Sequence, residues 1–251
     1  MRIALAPSGP TGLRAGRVLL ADRRVTAVGA FGTEVGFQDS RVRSIESLDG
    51  WDVLVSDAAP DDERIREAVG AGTLLVTTHT ATELSGIRER SPMLTGASPA
   101  SGLPVALVIS AMSRLDRVEN VSAAVTVPAR RVPHQNAMSY PDPIGPLWSE
   151  SAPSPSPTVR DLLFYHSPYD GSLAGVTARA EGEVAGALKI LSYGIVDDSL
   201  FLGAIALAAA ALMILDGSPP DGCIGVETEA HRYLEACTAA GMGVASFSPV
   251  S

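Results

Sequence analysis

The chain has 251 residues and a formal net charge of −9, so it is long enough to form one large α/β domain or two smaller ones. The negative charge, with no basic run to oppose it, excludes nucleic acid as an expected partner. Cys223 and Cys237 form no CxxC pair. We therefore expect neither a disulfide framework nor a metal site, and we expect a reduced, cytoplasmic setting.

Short apolar runs alternate with helical patterns over the first hundred residues, as is typical of parallel βαβ units. Asp61 and Asp62 favour a helix start, because acidic side chains are stabilised in the first turn of a helix. The sequence predicts strands at 2–6, 25–31, 52–58, 73–78 and 92–97, and helices at 13–22, 61–72 and 80–90.

One connection in this half is unusually short. About nine residues, GTEVGFQDS, separate the second strand from the extended segment RVRSI. A crossover helix does not fit there, although parallel neighbours usually need a dozen or more connecting residues. We expect the sheet to be abbreviated on that side.

The second half begins with a predicted amphipathic helix at 103–115 and a strand at 118–128. Residues 133–158 contain seven prolines and predict a long loop. Two further strands, joined by a turn at Ala185 and Gly186, predict a hairpin. The remaining segments are an Ala-rich helix at 199–215, a Pro/Gly loop at 217–226, a polar helix at 228–240 and a short final run at 243–247.

The Ala-rich segment 199–215 is the main candidate for a membrane span, because it contains no charged residue. It is short for a span and is flanked by acidic residues, so a buried core helix is the better interpretation. The N-terminus lacks the pattern of a signal peptide. We expect no contact with a membrane.

These elements predict an α/β fold with three parts. A Rossmann-like, mostly parallel sheet occupies residues 1–116, and an inserted α+β domain occupies 117–195. C-terminal helices at 196–251 return to the first domain. In such a sheet, ligands bind outside the carboxyl ends of the strands.

The segment Ala6–Gly12, APSGPTG, resembles the GASGYTG loop of the saccharopine dehydrogenase-like oxidoreductases. DVLVSDAAP, LTGASPASGLPVALVISAMSRLDRVENVSAAV and GVTARAEGEVAGALKILSYG resemble further segments of that family. The resemblance implies a Rossmann domain, an inserted substrate and dimerisation domain, NADP or NAD as cofactor, and a homodimer formed through the inserted sheet. The cofactor-binding residues that it implies are Ser8, Gly9, Thr11, Gly12, Ala58, Ala59, Pro60 and Thr78.

The loop also departs from the family pattern. Ala6 replaces the first glycine of the fingerprint, and Pro10 removes a backbone N–H. The second strand ends in VTAVGAFG, without the acid or arginine that would hold the ribose or its 2′-phosphate. The sequence therefore leaves open whether NADP or NAD binds at all.

Two groups of residues are candidates for catalysis. His79 follows a predicted strand, where it could transfer a proton near neutral pH or simply cap the next helix. Asp57 could bind a ligand or cap the helix at Asp61. Tyr165, His166 and Asp170 could orient a substrate and donate a proton, or belong to a strand edge and turn.

Three functions follow as hypotheses. The first is an NAD(P)-dependent reductase of an imine, enamine or activated alkene in small-molecule metabolism, including specialised metabolism. The second is a Rossmann-derived enzyme that has lost the cofactor and catalyses a cyclisation, isomerisation or dehydration. The third is a non-catalytic dimeric ligand-binding partner, for which an apolar patch on the inserted sheet is expected. No hydrolase, zinc-peptidase or NTPase motif is present.

Overall fold

The computed structural model describes residues 1–31, 38–84, 91–128, 138–140, 147–153, 161–167, 173–215, 217 and 220–247. Within these residues the strands form two sheets of seven strands each. The first sheet contains β1 (Arg2–Ala6), β2 (Ala27–Phe31), β3 (Val42–Ile45), β4 (Val53–Ser56), β5 (Leu74–Thr77), β6 (Met93–Thr95) and β13 (Cys223–Gly225).

The strand order of the first sheet is β13-β6-β5-β4-β1-β2-β3, and all of its described pairs are parallel. The chain runs outwards from β1 to β3 and returns to β4 on the other side of β1, which is the Rossmann order. Strands β4 and β5 are buried throughout, as continuous apolar strands of parallel sheets are. The predicted Rossmann-like sheet is confirmed.

The edge of this sheet at β3 differs from the prediction. Ten residues, 32–41, join β2 to β3, yet β3 pairs with β2 from Val42 to Ile45. The expectation of an abbreviated sheet is therefore wrong, although the connection is as short as the sequence indicated. An edge strand of four residues needs little chain to reach its place.

The helices are α1 (Pro10–Ala21), α2 (Glu63–Ala71), α3 (Gly102–Met112), α4 (Ser199–Leu215) and α5 (Ala230–Ala239), and a 3₁₀ turn at Val226–Glu229 precedes α5. Helix α4 has the predicted bounds and is buried from Leu202 to Met213, which confirms a core helix. It packs against α1, so the C-terminal part returns to the first sheet. No helix in the described ranges is long and apolar enough to cross a membrane.

The predicted amphipathic character of α3 is wrong. Its residues are buried without interruption from Gly102 to Val108, because the helix packs against both the second sheet and α5. The predicted helix at 80–90 is not seen in its described part, where residues 81–84 form turns. Residues 85–90 lie outside the described ranges.

The second sheet has the strand order β14-β12-β11-β7-β10-β9-β8. Its described pairs are antiparallel, except that β7 and β10 run parallel. Its strands are β7 (Arg117–Pro128), β8 (Met138–Tyr140), β9 (Leu147–Pro153), β10 (Asp161–Ser167), β11 (Leu173–Val184), β12 (Ala187–Asp198) and β14 (Ala245–Phe247).

The predicted long loop at 133–158 contains β8 and β9, so that prediction is wrong. The high proline content of this segment favoured a loop over strands. However, no proline lies within β8, and Pro153 is the last residue of β9. Proline is tolerated at such positions because it interrupts no central ladder.

The turn between β11 and β12 confirms the predicted hairpin. Ala185 and Gly186 have φ values of 52° and 78°, so both central residues adopt the left-handed conformation of a type I′ turn. The predicted loop at 217–226 contains β13, which pairs with β6. A strand of three residues at an edge is too short for periodicity to show.

Candidate functional site

All the strands of the first sheet are parallel, so their carboxyl ends lie along one side, which we call the carboxyl edge. The β1–α1 loop, the segment after β4 and the segment after β5 meet there. The order of the strands reverses between β1 and β4, and ligands of open α/β sheets bind at such a point. The structure therefore brings one group of predicted residues to one place: Ser8, Gly9, Thr11, Gly12, Ala58, Ala59, Pro60, Thr78 and His79.

The side chain of Asp57 joins β4 to the β1–α1 loop. Its carboxylate accepts hydrogen bonds from the backbone N–H groups of Ser8, at 2.7 Å, and Gly12, at 2.9 Å. The Ser8 hydroxyl donates to the backbone carbonyl of Asp57 at 2.8 Å. A carboxylate in this position is favourable because the N-terminus of a helix attracts negative charge. Asp57 thus contacts α1 rather than capping the helix at Asp61.

The two glycines of the loop have different surroundings. A Cβ at Gly12 would lie 2.6 Å from Asp57 Oδ1 and 2.9 Å from Pro7 Cα, so the close approach of Asp57 requires glycine there. A Cβ at Gly9 would meet nothing within 4 Å. The space above Gly9 is open, whereas the space beside Gly12 is filled by the protein itself.

These contacts decide whether the loop fits a dinucleotide. In a dinucleotide site, the N–H groups at the start of the first helix face the pyrophosphate. Here Asp57 takes the N–H groups of Ser8 and Gly12, and Pro10, in the first turn, has none to offer. A pyrophosphate would also meet a carboxylate of its own sign. The residues present do not fit the pyrophosphate in this mode.

The cleft beside the end of β2 is the region where the adenosine of a dinucleotide would lie in this fold. Phe31 ends β2 and lines a cleft of about 660 Å³. The other lining residues are three acids and two arginines: Glu46, Glu63, Glu67, Arg64 and Arg66. Arg64 is engaged with Asp62. Residues 32–37, which follow Phe31, lie outside the described ranges.

Thr11 takes part in helix packing. A Cβ at Gly203 of α4 would come within 3.0 Å of Thr11 Cγ2, so the threonine side chain lies against α4. Ala58 is buried, and its backbone N–H donates to Ser56 Oγ. These contacts give the two residues packing roles; a role in binding a cofactor stays a prediction.

The imidazole of His79 links the ends of β5 and β4. Its Nε2 lies 2.6 Å from the carbonyl oxygen of Ala58. Because a carbonyl only accepts, Nε2 carries the hydrogen, and Nδ1 is left for proton transfer. Nδ1 lies 3.8 Å from Glu83 Oε1. A fixed tautomer with an acidic neighbour suits a general base, and the same contacts also hold the two strand ends together.

Glu83 is placed by the turn that follows His79. Its Oε2 accepts hydrogen bonds from the backbone N–H and the hydroxyl of Thr80, at 2.7 and 2.9 Å. Partial burial opposes ionisation, but the hydrogen bonds from Thr80 and the nearby His79 outweigh it and lower the pKa of Glu83. The carboxylate next to His79 is therefore held in its ionised form.

Glu227 lies at the same edge and is a residue that the sequence did not predict as part of a site. It follows β13, and its carboxyl group folds back over Gly225, where an added Cβ would clash with it. Burial raises the pKa of Glu227, and its Oε2 is buried without a hydrogen-bond partner among the described residues. The acid after the apolar run CIGV was the available signal, but it was missed because β13 was interpreted as a loop.

Tyr165 and His166 lie in β10, in the second sheet, where their backbone pairs with β7 and β9. Strand β10 has a neighbour on each side, so the alternative of a strand edge is wrong. Asp170 lies outside the described residues. Catalytic roles for these three residues stay predictions. In the described ranges no group of three or more His, Cys, Asp or Glu side chains could hold a metal ion.

Comparison with protein-family models and with curated protein sequences finds no match. Solved structures do match. Dihydrodipicolinate reductase from Paenisporosarcina sp. TG-14, with bound dipicolinate, is 12% identical with a TM-score of 0.52, over 91% of this chain and 98% of that one. DAP dehydrogenase of C. glutamicum, in complex with DAP, is 12% identical with a TM-score of 0.55, over 90% and 93%.

An engineered D-amino acid dehydrogenase bound to NADP⁺ is 13% identical, with a TM-score of 0.53, over 90% of this chain and 93% of that one. At such identities the likeness shows the fold alone, and the narrower resemblance to saccharopine dehydrogenases stays an interpretation. The chain has the fold of the NAD(P)-binding Rossmann oxidoreductases that contain an inserted second domain.

Proposed function

We propose that this protein is a small-molecule enzyme that works at the carboxyl edge by proton transfer, without a dinucleotide in the β1–α1 loop. A cyclisation, isomerisation or dehydration is the expected class of reaction. The observation on which this rests is the carboxylate of Asp57 on the N–H groups of Ser8 and Gly12. The fold is that of NAD(P)-dependent oxidoreductases, but two N–H groups of the phosphate-binding loop, those of Ser8 and Gly12, already bind Asp57.

The same edge contains groups suited to proton transfer. The Nδ1 atom of His79 can accept a proton, because Nε2 is committed to the Ala58 carbonyl. The ionised Glu83 beside it stabilises the imidazolium that would form. Glu227 holds a second titratable group at this edge, and its burial favours the protonated carboxyl. Acid and base held in different environments are a recurring arrangement in proton-transfer enzymes.

The test is a thermal-shift titration of the wild-type protein and a Gly9→Ala variant with NADPH and NADH. Gly9→Ala adds a Cβ that meets nothing within 4 Å, so the variant should fold, with a cost of about 1 kcal/mol or less because alanine is a poorer N-cap than glycine. A cofactor at 100 times its Kd stabilises a protein by about 2.7 kcal/mol, which is roughly 5–10 °C for a chain of this size. We expect no shift for either protein. A shift in the wild type that is lost in Gly9→Ala would overturn the proposal.

The second candidate is the NAD(P)-dependent reductase of an imine, enamine or activated alkene. Open space above Gly9 favours it, since this is where a phosphate approaches the backbone. The D-amino acid dehydrogenase with a similar fold is bound to NADP⁺. This candidate requires Asp57 to leave the loop when the cofactor arrives. It predicts the Gly9-dependent shift that the first candidate forbids.

A further inference from the structure

Asp57 occupies the part of the fold that normally faces a cofactor phosphate. We propose that its carboxylate is a permanent internal replacement for that phosphate, which keeps the β1–α1 loop folded and excludes dinucleotides from it. This inference rests on the proposed function and deepens it, because it names the residue that keeps the cofactor out.

The geometry supports replacement rather than a chance contact. The two carboxylate oxygens are divided between two N–H groups, Oδ1 to Ser8 and Oδ2 to Gly12. The Ser8 hydroxyl closes a third bond, to the Asp57 carbonyl. Gly12 leaves only enough space for this carboxylate, since a Cβ there would lie 2.6 Å from it. The loop and the end of β4 are therefore built around each other.

The negative charge of Asp57 should itself repel a dinucleotide. A diphosphate at the loop would lie close to the Asp57 carboxylate, and like charges at such distances repel by several times the thermal energy. Removing the charge should therefore both weaken the loop and relieve the exclusion. Asp61 provides the matched control, because it is an exposed carboxylate four residues further along the chain and makes no hydrogen bond to α1 among the described residues.

The experiment compares the wild type, Asp57→Asn, Asp57→Ala and Asp61→Asn. Tm is measured without ligand, and binding of inorganic pyrophosphate and of NADPH is measured by calorimetry. We expect both Asp57 variants to lose roughly 2–4 °C in Tm. We also expect them to bind pyrophosphate and NADPH at least about tenfold more tightly than the wild type. Asp61→Asn should match the wild type in both measurements.

The outcomes separate this inference from the proposed function. If the wild type binds neither ligand and the Asp57 variants gain nothing, the internal replacement is overturned while the function without a dinucleotide stands. If the wild type binds NADPH tightly and Gly9→Ala abolishes this, both are overturned. If Asp61→Asn gains as much affinity as Asp57→Asn, the effect is one of net charge and the role of Asp57 is overturned. Asp57→Asn, which nearly preserves shape, keeps the test valid if Asp57→Ala does not fold.

Discussion

Single residues at the carboxyl edge have roles that their chemistry explains but that sequence could not assign. The sequence placed Ser8, Gly9, Gly12, Asp57 and His79 at strand ends, and they meet there. It could not show which donor meets which acceptor, because that depends on the approach of β4 to the β1–α1 loop. The departures at Ala6 and Pro10 predict an altered loop, and whether a cofactor binds there stays a prediction.

The buried carboxyl of Glu227 should make the free energy of unfolding depend on pH. Burial raises its pKa above the usual value of 4.5, so the folded state favours the protonated carboxyl. Its contribution to the free energy of unfolding is intact below pH 4.5 and declines as pH rises through the folded pKa. Glu227→Gln removes this decline. We expect the variant to be more stable than the wild type at pH 7 by about 1 kcal/mol, because glutamine fills the same buried position with a side chain that does not ionise.

Chemical unfolding of both proteins from pH 4 to 8 measures this effect. The difference between Glu227→Gln and the wild type should grow with pH. Glu235→Gln, an exposed carboxyl on α5, is the matched control and should show a constant difference near zero. An equal or opposite trend for Glu227→Gln would contradict burial of the carboxyl in its protonated form.

At the scale of elements, the sequence predicted long and periodic segments well and short ones poorly. Helix α4 and the β11–β12 hairpin were predicted closely, because an uncharged segment and a turn at Ala185 and Gly186 are strong local signals. Strands β8, β9 and β13 were missed because proline and glycine dominate their surroundings. Helix α3 was predicted as amphipathic, but tertiary packing buries it from Gly102 to Val108. Packing between elements cannot be read from local periodicity.

The N-cap of α2 can be tested for its contribution to stability. Asp62 is its N-cap and accepts a hydrogen bond from the Arg64 N–H at 2.9 Å. Asp62→Ala should cost about 1 kcal/mol, which lowers Tm by about 2–4 °C. The neighbouring Asp61→Ala should cost much less, since the Asp61 side chain is exposed and does not cap the helix.

The difference in Tm between the wild type and Asp62→Ala should depend on pH. The side-chain hydrogen bond from Arg64, more than any other contact, lowers the pKa of Asp62 below its usual value of 3.8. The stabilisation by Asp62 is therefore complete above pH 3.8 and is lost as pH falls through the folded pKa. When Tm is measured between pH 2 and 7, the Tm values of the wild type and Asp62→Ala should become more similar as the pH falls. A gap that persists unchanged at the lowest pH would contradict an ionic role for the cap.

At the scale of the whole molecule, the two sheets share a core. One hydrophobic cluster joins residues of β1 and β4 to α3, α4, β7 and β11. The two-sheet α/β architecture was predictable, because each part has its own pattern of strands and helices. The position of the last strand was harder to predict. The C-terminal part was expected to return to the first domain, but β14 pairs with β12 of the second sheet. The proposed domain boundaries at residues 116 and 195 stay predictions.

The third hypothesis, a non-catalytic dimeric partner, anticipated an apolar patch on the inserted sheet. Among the side chains of that sheet whose exposure the structure describes, the large apolar ones that are exposed include Val118, Leu173, Leu188, Val196 and Phe247. A homodimer through this sheet stays a prediction, as does any ligand bound by such a partner. The fold hosts many chemistries, so the proposed function depends on the residues at the carboxyl edge rather than on the architecture.

The most direct test of the role of Asp57 is amide hydrogen exchange by NMR, followed at Ser8 and Gly12 with and without NADPH. If Asp57 holds these two N–H groups, both exchange slowly in the ligand-free wild type and lose that protection in Asp57→Ala, which has no side-chain acceptor. Their resonances are also unmoved when NADPH is added to the wild type. Rapid exchange in the wild type, with both resonances shifting on addition of NADPH, would show that the loop is free to bind a dinucleotide and would contradict the central claim.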